Sequence, residues 1–222
     1  MYSRISILFG VTLACMKRQR LTREQSKDQT RLRLLDAAQA IFMKKGFGAA
    51  SVEDIAEAAG YTRGAFYSNF RSKPELFLEL LRRDHETMQA GLRSIFEEGA
   101  TREEMEARVL DYYSNLHRDN KCFLLWAEAK LLASRDGRFR VRFNAFLHEK
   151  LEQLSAYIRE FSVRAGTPLP LPAETLAMGL MGLCDGVQFF YTVDPKNVSA
   201  ETAEAVLAGF FTRVVFGRDV GQ

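Results

Sequence analysis

Seven residues within a 23-residue stretch could hold a nucleic acid. Ser51, Thr62, Arg63, Tyr67, Asn69 and Lys73 supply hydroxyls, an amide, a guanidinium and an ammonium, and Gly64 among them carries no side chain. Such groups bond phosphate oxygens and base edges, and a bare glycine lets a backbone come close to either. Their chemistry is recognition and not turnover. The chain contains no G-x-S-x-G, P-loop, H-E-x-x-H or C-x-x-C pattern, so no enzyme activity and no cofactor is expected. Cys15, Cys122 and Cys184 are odd in number and far apart, which fits a reducing cytoplasm better than a disulfide framework. His85, His117 and His148 are scattered without metal-ligand spacing, so no metal site is expected.

The elements that must position these groups read as a helix, a glycine turn and a second short helix. Ser51 can cap the first, with Asp54 three residues on as in a capping box. Val52, Ile55, Ala56 and Ala59 then recur at helical spacing. Gly60 falls where the chain must turn, and Thr62 can cap the second helix. Phe66 and Phe70, four apart, give that helix a face to bury, which leaves Thr62, Arg63, Gly64 and Tyr67 outward. This is the pattern of a helix-turn-helix, whose second helix can enter the major groove of DNA. An ordinary helical hairpin with a solvated polar face has the same pattern.

Residues 27–80 are similar to the DNA-binding domain of the TetR/AcrR family of regulators. The matching positions include Arg33 to Ala38, Phe42, Lys45-Gly46-Phe47, Ala50 to Ala56, Ala59-Gly60, Gly64 to Tyr67, Asn69-Phe70, Lys73, Glu75-Leu76 and Leu80. The resemblance covers about a quarter of the chain without a gap. It implies an all-α fold: a three-helix helix-turn-helix DNA-binding domain, then a six-helix ligand-binding and dimerisation domain. It implies a homodimer on a pseudo-palindromic operator, released by a small-molecule effector. In that scheme Arg63, with Thr62 and the Gly64 backbone, reads bases, while Ser51, Tyr67, Asn69 and Lys73 hold phosphates.

Charge distribution agrees. Residues 17–73 hold 12 Lys/Arg against 6 Asp/Glu, whereas residues 74–222 hold 18 against 22. A basic segment beside a mildly acidic remainder suits phosphate contact at one end. Residues 1–26 read as an N-terminal extension and basic arm. The apolar run Ile5 to Met16 is too short to span a bilayer of about 30 Å as a helix. Translation is expected to begin at Met16, and no membrane partner is expected.

The DNA-binding domain is placed at residues 27–73, with helices near 27–45, 52–59 and 63–69; Ser26 and Gln29 are read as caps of the first. Residues 74–222 form the effector-binding and dimerisation domain, with helices near 74–97, 102–117, 120–134, 138–165, 173–192 and 200–216. Ser72 and Glu75 form a capping box ahead of Pro74. Tyr113, Phe123 and Trp126 fall on middle helices and are the candidate effector liners, although aromatics also fill ordinary cores. A low polar content points to an apolar or aromatic effector. The last two helices are apolar on more than one face, which suits a dimer surface including Met181, Cys184, Val206, Phe210 and Val214. The alternative is a TetR-type DNA-binding protein with no small-molecule effector, acting through a protein partner in an architectural or cell-division role. A closed apolar cavity would separate the two.

Overall fold

The computed structural model describes residues 22–96, 101–119 and 122–217. Among these the structure is wholly helical. The elements are α1 (Arg23–Ala49), α2 (Val52–Ala58), α3 (Arg63–Asn69), α4 (Lys73–Ile95), α5 (Arg102–Asp119), α6 (Phe123–Arg135), α7 (Gly137–Ala165), α8 (Ala173–Val193) and α9 (Ala200–Phe210). One π turn, Phe211–Val215, follows α9. The possible start at Met16 and most of the basic arm lie outside the described residues.

Local chemistry sets the ends. Helix α1 begins four residues before the expected 27, and its cap is not Ser26. The Thr22 hydroxyl accepts from the Gln25 N–H, and the Gln25 side chain accepts from the Thr22 N–H. Reciprocal capping of this kind satisfies two otherwise unpaired donors. Helical geometry breaks at Gly46, whose φ of 80° and ψ of 160° suit only glycine, and one further turn runs to Ala49. Ser51 and Asp54 form the expected capping box on α2. Gly60 turns the chain at φ 76°. Ser72 caps α4, but the Glu75 carboxylate accepts from the Arg71 N–H instead of completing a box with Ser72.

One apolar cluster runs from α1, α2 and α3 into α4, α6 and α7. Phe42, Phe66, Phe70, Phe77 and Phe143 within it are essentially inaccessible. Losing one such ring costs about 3–5 kcal/mol in a typical core. Phe47 stacks on Phe77 at 4.6 Å between centroids, which ties the end of α1 to α4. Polar contacts cross the same seam. Glu128 on α6 accepts from the Phe47 N–H at 2.6 Å, and Arg83 on α4 donates to Asp36 and Gln39 of α1 at 2.6 and 2.7 Å. A second cluster joins Ile95, Val109, Tyr113, Phe161, Leu180 and Phe211, and a third lies beneath the start of α8. Packing is therefore continuous from the helix-turn-helix to the middle helices.

Candidate functional site

Burial of Phe66 and Phe70 fixes the rotation of α3. The opposite face presents Thr62, Arg63, Gly64, Tyr67 and Ser68 to solvent. Thr62 caps the helix by accepting from the Ala65 N–H. A Cβ on Gly64 would meet only the Thr62 hydroxyl, at 3.7 Å, so the backbone there lies open. The Arg63 guanidinium is paired with Glu53 at 2.8 Å and lies 5.5 Å from the Tyr67 ring centroid. Its side chain is 65% exposed, so the pair is weak and can exchange for a base edge. Ser68 went unnoticed in the sequence, although it sits four residues after Gly64 on the same helical face; its hydroxyl donates to the Gly64 carbonyl.

Three expected phosphate contacts have other partners. The Ser51 hydroxyl donates to Asp54 Oδ2 at 2.6 Å and accepts from the Asp54 N–H at 3.0 Å. That carboxylate also meets Lys45 at 2.5 Å, and these hydrogen bonds, Lys45's foremost, hold its pKa well below the usual carboxylate range. The Asn69 amide folds back to donate to the Ala65 carbonyl at 2.9 Å, and its own backbone carbonyl receives Arg31 at 2.8 Å. Its Oδ1 is buried without a partner. Lys73 departs furthest from expectation. Its ammonium donates to the Phe47 and Ala50 carbonyls at 2.7 and 2.6 Å and stands 4.4 Å from the Phe47 ring centroid. Burial lowers its pKa. Lys73 clasps the end of α1, and at most one of its three N–H groups is left for a phosphate.

A cavity of about 110 Å³ lies among α4, α5, α6, α7 and α8. Tyr113, Phe123 and Trp126, the expected liners, all border it, with Met88, Leu92, Leu154 and Leu180 completing an apolar wall. Its polar members, none of them singled out by sequence pattern, include Lys150, Lys130, Asp185 and His85 with Gln89, Gln153 and Gln188. His85 Nε2 and Gln153 Oε1 are 3.0 Å apart, and burial lowers the histidine's pKa. Lys130 and Asp185 pair at 2.5 Å. The Lys150 ammonium stands 3.8 Å from the Trp126 ring centroid, and burial pushes its pKa down to about 8. The cavity is thus mixed, where an apolar one was expected. Among the described residues, no three His, Cys, Asp or Glu side chains converge on a metal position.

Met181 and Cys184 were expected on a dimer surface, but they line this cavity. Burial pushes the Cys184 thiol up to about 12, so it stays protonated. Phe210 and Val214 are half-buried against the chain's own clusters. Val206 alone of the five stands exposed, at 44%. The outward face of α8 carries Met178, Phe189, Phe190 and Val193, each more than half exposed. Added Cβ atoms on Gly179, Gly182, Gly186 and Gly209 would meet nothing within 4 Å. Helix α8 is also long and apolar enough to cross a membrane by length and composition, with 28% of its apolar window buried.

Residues 34–80 match the sequence profile of bacterial regulatory proteins, tetR family. The HTH-type transcriptional regulator TtgR of Pseudomonas putida is 44% identical over 68 residues, which cover 31% of this chain and 32% of that protein. The match therefore spans about a third of TtgR. The uncharacterized HTH-type transcriptional regulator YdgC of Bacillus subtilis is 28% identical over 205 residues, covering 86% of this chain and 96% of YdgC. Among solved structures, SmeT in complex with triclosan superposes with a TM-score of 0.66 at 20% identity, over 87% of this chain and 99% of SmeT. That likeness extends the shared fold beyond the helix-turn-helix to nearly the whole chain.

Proposed function

We propose that this chain, a member of the TetR family of bacterial regulatory proteins, is a ligand-responsive repressor that binds a pseudo-palindromic operator as a homodimer. One observation carries the reading. The outward polar face of α3 rests on a core that continues into α4, α6 and α7, and those helices wall the cavity. A ligand there can reach the reading head without touching DNA. Residues 27–73 read the operator, and residues 74–222 hold the effector and the dimer contact.

Arg63, Thr62 and the Gly64 backbone face base edges, with Tyr67 and Ser68 beside them. Two such helices must stand about 34–36 Å apart to enter successive major grooves. Helix α6 offers the coupling. Phe123 and Trp126 border the cavity, while Glu128 on the same helix holds the Phe47 N–H at the end of α1. A ligand that shifts α6 changes the spacing of the heads, and it opposes DNA to the extent that it prefers the unbound conformation. The triclosan bound to SmeT supports a small-molecule effector for this fold. The aromatic-lined cavity favours this reading over action through a protein partner alone.

The test is a nuclease footprint on DNA flanking the chain's own gene, repeated in the presence of small aromatic compounds. Two protected half-sites one turn apart, lost as a compound is added, are expected. No protection at any site, or protection of a single half-site by a monomer, would overturn the reading.

A further inference from the structure

The Lys150 ammonium is the cavity's least settled charge. It projects from α7 over the face of Trp126, and among the described residues no oxygen accepts a hydrogen bond from it. The nearest acids are directed elsewhere. Asp84 accepts the Trp126 indole N–H at 2.7 Å, and Asp185 is paired with Lys130. One face of the ammonium meets a π surface, and among the described residues its other donors have no hydrogen-bond acceptor. Lys150 is half-buried, and drawing an ammonium partly out of water is costly, so a group that supplies acceptors gains by binding there.

The remaining wall selects the rest of the ligand. Phe123, Trp126, Leu154 and Leu180 give an apolar wall with two aromatic rings in it. A cavity of about 150 Å³ with apolar walls holds a benzene ring, so this one, at about 110 Å³, is on the scale of a single ring. A cationic ligand is disfavoured, because the indole face it would seek already carries Lys150 and it would meet a like charge. We infer that the effector is a compact aromatic anion, a carboxylate or phenolate, whose ring lies among these side chains and whose charge rests on Lys150. The inference depends on the reading of this cavity as the effector site.

Trp126 is the only tryptophan in the chain, so its emission reports on the cavity alone. Full-length protein is titrated with benzoate, benzamide and benzyltrimethylammonium. Benzoate is expected to bind about tenfold or more tighter than benzamide, with the ammonium weakest. Lys150→Met should erase the benzoate advantage, and Lys150→Arg should keep it. Should the methionine variant fail to fold by circular dichroism, the wild type still decides. Benzoate affinity should fall as pH rises from neutral to about 9, because Lys150 loses its proton in that interval. The charged or titratable groups around it are Asp84 and His85 on α4, Lys130 on α6, and Cys184 and Asp185 on α8. Benzamide or the ammonium binding as tightly as benzoate would overturn the anion inference and leave the cavity as an effector site. No saturable change in Trp126 emission with any of the three would overturn both.

Discussion

The helix-turn-helix head and the cavity both draw charged groups partly out of water, and they settle them in opposite ways. In the head each such group meets a short-range partner. Asp54 has Lys45 and Ser51, Lys73 has two backbone carbonyls, and Arg31 has the Asn69 carbonyl, Glu79 and the Phe70 ring. In the cavity Lys150 has a ring face but, among the described residues, no oxygen that accepts its hydrogen bond, and burial drives its pKa down as it drives those of Cys184 and Tyr113 up. A head that reads DNA must arrive already shaped, because ordering it at the moment of binding would weaken affinity. A cavity that answers a ligand gains from groups the ligand alone completes. The difference sets a region whose charges are already paired apart from one that leaves Lys150 without a hydrogen-bond acceptor among the described residues.

The largest expected effect probes what lies outside both regions. Phe190 is 58% exposed on α8, so an aspartate there does little to the isolated subunit. If that face meets a second copy, Phe190→Asp buries two like charges, at a cost of several kcal/mol. Sedimentation should show a folded monomer with operator affinity lost. A variant that stays dimeric and competent on DNA would place the dimer contact elsewhere. Phe190 is a sharper probe than Phe210, which packs partly into its own subunit.

The next effect tests the settled character of the head. Lys73→Met leaves the Phe47 and Ala50 carbonyls without their donor, which should cost about 1–3 kcal/mol of stability. Thermal melting checks the loss. The salt dependence of operator binding should stay nearly unchanged. A slope lowered by about one unit per subunit, with little change in melting, would restore Lys73 as a phosphate anchor.

Arg63→Ala removes the one guanidinium on the outward face of α3. It should relax base preference at one position per half-site by about 1–3 kcal/mol. Selection from a randomised operator reads this directly, and an unchanged preference would remove Arg63 from base reading. The smallest effect concerns its present partner. Glu53→Gln frees Arg63 from an exposed pair worth about 0–1 kcal/mol, so operator binding should tighten by no more than about fivefold. Weaker binding would mean that Glu53 orients the arginine for DNA.

The outline of both regions was legible in the chain because it rests on short-range rules. Ser51 with Asp54, Gly60, Thr62 and the Phe66–Phe70 pair fix α2, the turn and α3 within a few residues, and the structure keeps each of them. The start of α1 was misplaced because residues 23–27 are polar and give no hydrophobic period; the Thr22–Gln25 box was the available signal. Residue type marks Ser51, Asn69 and Lys73 as able to bond phosphates, but it does not say that within the chain they meet Asp54, the Ala65 carbonyl and the Phe47 and Ala50 carbonyls.

What the sequence determined by itself was therefore the set of helices, the capping residues of α2, α3 and α4, and the outward face of α3. Capping and periodicity act over three or four residues and need no knowledge of the rest. Only the tertiary structure decided what each apolar face meets. Helix α8 is apolar nearly all round, and spacing alone could not tell that Met181 and Cys184 turn to the cavity while Phe189 and Phe190 face out. Nor could it bring Lys150 of α7 onto Trp126 of α6, since that meeting depends on how two helices pack, and packing is set by the whole core at once.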